Sequence, residues 1–234
     1  TYTEIVNRDP GNVSAWIMKG TLHQRLRDYD NALAAYDQAL ALEPDLPVVY
    51  GYKGAILHLQ GNMNGALEQY EKAIAIDPGV PMIWAYRGYT LAATGKYDEA
   101  LKSYDQALAL DPSRSTTAKD KADLLVLLGR QSEALKSYTD AVAADPDNLE
   151  AAMAKADLER SLGKFADAVV TYNDILTRAP ETPGALAGKA EALIGLGEYE
   201  ESVAVYDTLI AGAPNTSNYW AYRAYAMNKM GKYE

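Results

Sequence analysis

Seven of the ten prolines stand 34 residues apart, at Pro10, Pro44, Pro78, Pro112, Pro146, Pro180 and Pro214, with no insertion or deletion between them. A fixed period of this length requires stacked copies of one supersecondary unit, and its value points to a helix-turn-helix repeat rather than to blades or coils. With Val13 as position 1, six complete units span 13–46, 47–80, 81–114, 115–148, 149–182 and 183–216. Residues 1–12 match the second half of a unit. Residues 217–234 match the first half, with Trp220, Ala224, Gly231 and Tyr233 in register, so 1–234 reads as a single repeat domain.

Punctuation within each unit sets two helices. Position 15 is Gly61, Gly95, Gly129, Gly163, Gly197 and Gly231, the residue that closes a helix in the left-handed conformation at least cost. Acidic residues follow, as in Asp98-Glu99, Asp167 and Glu200-Glu201, where they suit the positive end of a second helix. That helix stops at the proline turn of Glu43-Pro44, Asp77-Pro78, Asp111-Pro112 and Asp145-Pro146. Pro47, Pro81 and Pro183 then open the next first helix, where a missing N–H is harmless.

Small and large residues alternate between the two helices. Position 8 is Gly20, Gly54, Gly88, Ala122, Ala156, Ala190 and Ala224, which lets antiparallel helices approach. Bulk returns at position 24 with Tyr36, Tyr70, Tyr104, Tyr138, Tyr172 and Tyr206, read as core aromatics with one polar end.

Trp16, Trp84 and Trp220 at position 4, small residues at 8 and 20, glycine at 15, tyrosine at 24, Ala39, Ala73, Ala107 and Ala141 at 27, and proline at 32 together resemble the tetratricopeptide repeat. The resemblance runs over the whole chain and implies an all-α, right-handed α-solenoid of tandem helical hairpins, six complete repeats flanked by two half-repeats. Departures are local. Arg27 stands where the other turns have glycine, so the first turn holds either a left-handed arginine or a different construction. Ala118, Ala152 and Leu186 replace the aromatic at position 4, and Ile175 and Leu209 replace alanine at 27, so those interfaces are expected to be filled differently.

Charge and composition narrow the function. The chain carries 32 acidic and 22 basic residues, a net charge of −10, and no basic run, which disfavours nucleic acid. No stretch approaches the length of a membrane span. Cysteine is absent, removing disulfides, thiolate metal sites and thiol nucleophiles; a cytoplasmic location is the expectation. His23 and His58 lack paired ligand spacing, and no acid/base pair or phosphate-cradling loop stands out. No catalytic residue, metal or cofactor is expected.

In relatives, positions 2, 5, 6, 9, 12 and 13 of the first helices line a concave groove, and their spacing puts them on one helix face. Here they give an apolar and aromatic stretch of Ile17, Met18, Val48, Tyr52, His58, Met82, Tyr86 and Tyr89. An acidic stretch follows with Asp120, Asp123, Asp157 and Glu191, and then Tyr222 and Tyr225. The functional reading is a protein-interaction scaffold whose groove anchors a peptide or protein segment on the aromatics and takes its basic residues on the acids. The competing reading is that the aromatics pack between neighbouring helices and the acids are solvated.

A second ladder at position 7, Lys19, Lys53, Arg87, Lys121, Lys155, Lys189 and Arg223, suits either an acidic partner or internal packing with the charge drawn to nearby carboxylates. Members of this family that hold the acidic C-terminus of chaperones use lysine, asparagine and arginine at set groove positions. Lys119 is followed instead by Asp123, Ala154, Gly184 and Gly188, so that clamp is absent. Two alternatives remain: a structural scaffold stacking head to tail through its half-repeats, and the recognition arm of a larger enzyme or receptor.

Overall fold

The computed structural model describes residues 2–232; the expected in-register Tyr233 lies outside them. Among the described residues there are fourteen helices and no strand. They form two compact units, Thr1–Thr117 and Ala118–Glu234. The first contains α1 (Tyr2–Arg8), α2 (Val13–Arg25), α3 (Tyr29–Leu42), α4 (Pro47–Leu59), α5 (Met63–Ile76), α6 (Pro81–Ala93) and α7 (Tyr97–Leu110). Helix α8 (Ser115–Leu127) contains the division between the units. The second continues with α9 (Gln131–Ala144), α10 (Leu149–Ser161), α11 (Phe165–Arg178), α12 (Pro183–Leu196), α13 (Tyr199–Gly212) and α14 (Ser217–Lys229).

Helix starts and stops follow from identifiable residues. Pro47, Pro81 and Pro183 each occupy the first turn of their helix. The Asn12, Asn62 and Asn148 side chains cap α2, α5 and α10 by accepting the N–H of Ala15, Gly65 and Ala151 at 2.9–3.0 Å. The turn glycines adopt φ between +71° and +82°, and Arg27 adopts the same left-handed conformation at φ +59°. Of the two expectations for that turn, the left-handed arginine is therefore the one realised. In the Asp-Pro turns, Asp77 accepts the N–H of Gly79 at 2.8 Å and Asp145 that of Asp147 at 3.0 Å.

The tyrosines at position 24 form the interior of both units. Tyr36, Tyr70, Tyr104, Tyr138, Tyr172 and Tyr206 are all buried. A methyl group on Gly20 would stand 2.5 Å from the ring of Tyr36, so glycine there is what lets α2 and α3 close on the ring. Where alanine occupies position 27 in the first unit, Ala39 and Ala73 are fully buried. Ile175 takes that place in α11 and fills the space beside Ala152, where an aromatic stands in other repeats.

Contacts between repeats use the two ladders. Each indole of Trp16, Trp84 and Trp220 donates to the carbonyl oxygen of Pro10, Pro78 or Pro214 at 2.8–2.9 Å, which ties a first helix to the turn before it. Position 7 reaches back to the preceding second helix where Lys53 pairs with Asp37 and Arg223 pairs with Asp207 at 2.6 Å, while Arg87 donates to Ser103 of its own hairpin at 2.8 Å. Lys189 meets Glu201 at 2.9 Å within its own hairpin. These partners support the internal-packing reading of the basic ladder. Helix α4 also lies against α6, α10 against α12, and α12 against α14, so successive first helices present one shared face within each unit.

Candidate functional site

In the first unit the shared face is aromatic. Tyr52 lies over the buried ring of Tyr36, centroids 5.7 Å apart, and Tyr86 over Tyr70 at 6.3 Å. Each of these half-buried groove tyrosines thus rests on an interior one from the preceding hairpin. His58 approaches Tyr89 at 5.0 Å between centroids, and its Nδ1 lies 2.9 Å from the Thr90 hydroxyl. Partial burial lowers the imidazole's pKa, so the ring is neutral at pH 7. A cavity of about 220 Å³ opens between Gln24, His58, Tyr86 and Tyr89. A wider one of about 630 Å³, sharing Gln24, Leu59 and Tyr86, is bounded by Tyr29 and Tyr52 and rimmed by Arg25 and Arg27.

Other residues expected on this face line neither cavity. Ile17, half-buried like Tyr52, packs with it against the cluster of Ala32, Tyr36, Val49 and Ile56. Half-buried Met82 directs its Cε toward Gly51. Met18 and Val48 are exposed but line neither cavity.

In the second unit the shared face is ionic. Asp123 accepts from the Tyr138 hydroxyl and pairs with Lys119 at 3.0 Å. Asp157 accepts from Tyr172 at 2.6 Å, and Arg160 lies 3.5 Å from the same oxygen. Arg160 also pairs with Glu191 across the repeat boundary, from α10 to α12. Three of the four expected acids are therefore already engaged by groove residues rather than simply solvated. Asp120 differs: burial raises its pKa to about 6, with Asp123 and Glu150 adding to the shift and Lys119 opposing it.

Glu191 and the two late tyrosines, distant in sequence from the other acids, come together in one cavity of about 510 Å³. Its apolar wall is Phe165, Ile194, Tyr222 and Tyr225, and Arg160 with Glu191 forms its polar edge. Phe165 reaches the site because position 195 is glycine; a methyl group there would stand 2.6 Å from the ring. Beneath Tyr222 lies Tyr206, nearly parallel to it at 8° with centroids 5.9 Å apart. Tyr219 packs on Tyr206 from another side at 6.4 Å and belongs to the core cluster.

The Tyr206 hydroxyl is buried without a hydrogen-bond partner. In the two preceding repeats the equivalent hydroxyl donates to position 9, Asp123 or Asp157. Here position 9 is Glu191, and Arg160 holds it. An orphaned buried hydroxyl costs about 1–3 kcal/mol. Burial first, and the Glu191 carboxylate second, push the Tyr206 pKa upward, so the group stays an O–H donor.

Among the described residues no group of histidine, cysteine or acidic side chains is placed to hold a metal ion. No described helix is long and apolar enough to cross a membrane.

Tetratricopeptide repeat models match residues 17–81 and 119–185, residues 159–224, and residues 81–114. The chain belongs to the tetratricopeptide repeat family. No curated protein matches it. Among solved structures it is similar to PilF of Pseudomonas aeruginosa, at TM-score 0.73 and 17% identity over 93% of this chain and 99% of the other. The type IV pilus biogenesis factor PilW matches at 0.68 and 20% identity, covering 89% and 97%. YrrB, described as a repeat protein with an unusual peptide-binding site, matches at 0.59 and 19%, covering 81% and 97%. At these identities the likeness is one of fold.

Within this tetratricopeptide repeat chain, sequence reasoning found Glu191, Tyr222 and Tyr225 but missed Phe165 and Ile194 as their neighbours. Phe165 sits at position 17, outside the groove set, and is the only phenylalanine. The pairing of that large ring with Gly195, at position 13 of the next repeat, was the available signal.

Proposed function

We propose that this tetratricopeptide repeat chain is a non-catalytic protein-interaction module that binds peptide or protein segments on the first-helix faces of its units. The observation that carries the reading is Tyr89. It is 53% exposed, yet its ring is positioned against His58 above a preformed cavity, the arrangement of an anchor awaiting a partner. Tyr52 and Tyr86 extend the same apolar surface, and their inner neighbours Tyr36 and Tyr70 keep them in place. The acids of the second unit give a complementary surface for lysine or arginine on a ligand, consistent with a net charge of −10. The peptide-binding description of YrrB supports the same use of the fold.

The test begins with a random peptide display library selected on the immobilised protein. Peptides that enrich are then titrated against the wild type and a Tyr86→Ala, Tyr89→Ala double variant. The double variant is expected to lose about 2 kcal/mol of binding, roughly thirtyfold, with helical circular dichroism unchanged. Equal affinity in a folded variant removes these residues from the site. Failure of any peptide to enrich counts against the groove reading itself.

A further inference from the structure

The geometry points to a subsite in the second unit that takes one long basic side chain of a bound peptide and binds it by a partner exchange at Glu191. This rests on the groove reading above and adds the chemistry of one anchor.

In the present arrangement Glu191 accepts from Arg160, and the Tyr206 hydroxyl beneath the cavity has no partner. The two ends of this arrangement are unequal. Arg160 has further partners, since its Nε lies 3.3 Å from the Tyr172 hydroxyl and its Nη2 lies 3.5 Å from Asp157. Tyr206 has none. If Glu191 leaves Arg160, the guanidinium keeps Tyr172 and Asp157, whereas Tyr206 gains the acceptor that its counterparts Tyr138 and Tyr172 already possess. The exchange therefore satisfies one more buried group than the free state does.

A cationic ligand head is what drives it. Placed at Glu191, it takes over the charge partnership that Arg160 supplied, and like-charge repulsion turns Arg160 toward Asp157. The aliphatic stem of lysine or arginine lies along Ile194 and the rings of Tyr222 and Tyr225. The cavity, about 510 Å³, has room for such a side chain. Tyr225 already carries a cation on its ring, Lys229 Nζ at 5.3 Å from the centroid, so that face is suited to positive charge. Charge selects the occupant: Asp120, Asp123, Asp157, Glu150 and Glu191 outnumber Lys119, Arg160 and Lys229 on this face.

The probe is n-butylguanidinium, titrated into protein carrying ¹³C-labelled isoleucine methyls, with the Ile194 resonance as readout. 1-Pentanol and pentanoate supply the same stem with a neutral and an anionic head. Saturable shifts are expected for the guanidinium, at least about tenfold stronger than for either control. Glu191→Gln should abolish that preference. Tyr206→Phe, which removes the group that rewards the exchange, should weaken binding about threefold while leaving the fold intact. Arg160→Gln removes the competitor and should strengthen binding; a purely structural role for Arg160 predicts the opposite. Equal binding of pentanol, tighter binding of pentanoate, or no saturable shift overturns the proposal. The probe series on the wild-type protein decides the matter even if a variant fails to fold. The readout is independent of Tyr86 and Tyr89, so loss of peptide binding there and loss of guanidinium binding here are separate results.

Discussion

The two units use the same repeat to build opposite surfaces. In Thr1–Thr117 the groove positions carry rings supported by interior rings, as Tyr52 is by Tyr36 and Tyr86 by Tyr70. In Ala118–Glu234 position 9 of that face carries carboxylates that accept from the interior tyrosines of their own hairpins, as Asp123 does from Tyr138 and Asp157 from Tyr172, while Tyr222 over Tyr206 repeats the ring arrangement. The tyrosine at position 24 is common to both, but its partner differs. With a ring above it, the hydroxyl turns to neutral groups such as Gln24, which accepts at 2.9 Å from Tyr36. With a carboxylate above it, the hydroxyl becomes a charge-assisted donor. One scaffold position thereby supports an apolar anchor in one unit and an ionic one in the other.

The strongest way to break this comparison is to disrupt the ionic unit from inside. Glu159 is only 4% exposed and is held by Lys155 at 3.0 Å and by the Thr171 hydroxyl at 2.8 Å. Lys155→Met strands its carboxylate and should lower stability by about 3 kcal/mol, read from the urea midpoint. Lys53→Met, whose partner Asp37 is exposed, should cost no more than about 1 kcal/mol. Equal losses would show that the second unit does not depend on buried charge more than the first.

Asp120 sharpens the contrast through pH. Its folded pKa of about 6 lies above the ordinary 3.8, so the folded state retains a proton that the unfolded chain has lost. Stability from this group is therefore present below pH 4, falls as the pH rises toward 6, and stays reduced above it. Asp120→Asn should flatten that fall and, allowing for partial exposure, raise stability at pH 7 by about 1–2 kcal/mol. Thermal melts at pH 4.5 and 7 check it. A variant with the same pH dependence as wild type would remove Asp120 as its source.

The smallest effect concerns the first turn. Arg27 adopts φ +59° where the other turns have glycine, and Arg27→Gly should stabilise by about 1 kcal/mol in a denaturant titration. The gain is partly offset by glycine's greater freedom in the unfolded chain. A loss instead would mean that the arginine side chain, at the rim of the Tyr52 cavity, contributes more than its backbone strain.

Much of the site was legible from register alone. Tyr52, His58, Tyr86 and Tyr89 fall on one face because positions 6, 9 and 12 recur at helical spacing, and the structure brings them to two adjoining cavities. Ile17 follows the same register and packs beside Tyr52 on the cluster of Tyr36, Val49 and Ile56, but lines neither cavity. Register also placed Glu191, Tyr222 and Tyr225, but Phe165 at position 17 falls outside the groove set, and its only signal was the glycine at position 13 of the next repeat. Its approach depends on the absence of a single methyl group at Gly195.

What the sequence determined by itself was the architecture: where each helix starts and stops, which face is apolar, and which tyrosines are interior. Those features rest on local backbone preferences, such as proline at a first turn and glycine at a left-handed one, repeated at a constant interval. The tertiary structure decided the pairing of side chains across repeats, above all that Arg160 takes Glu191 and leaves the Tyr206 hydroxyl without an acceptor. Such pairings depend on side-chain length and on competition among several partners within a few ångströms, and neither is written in the period.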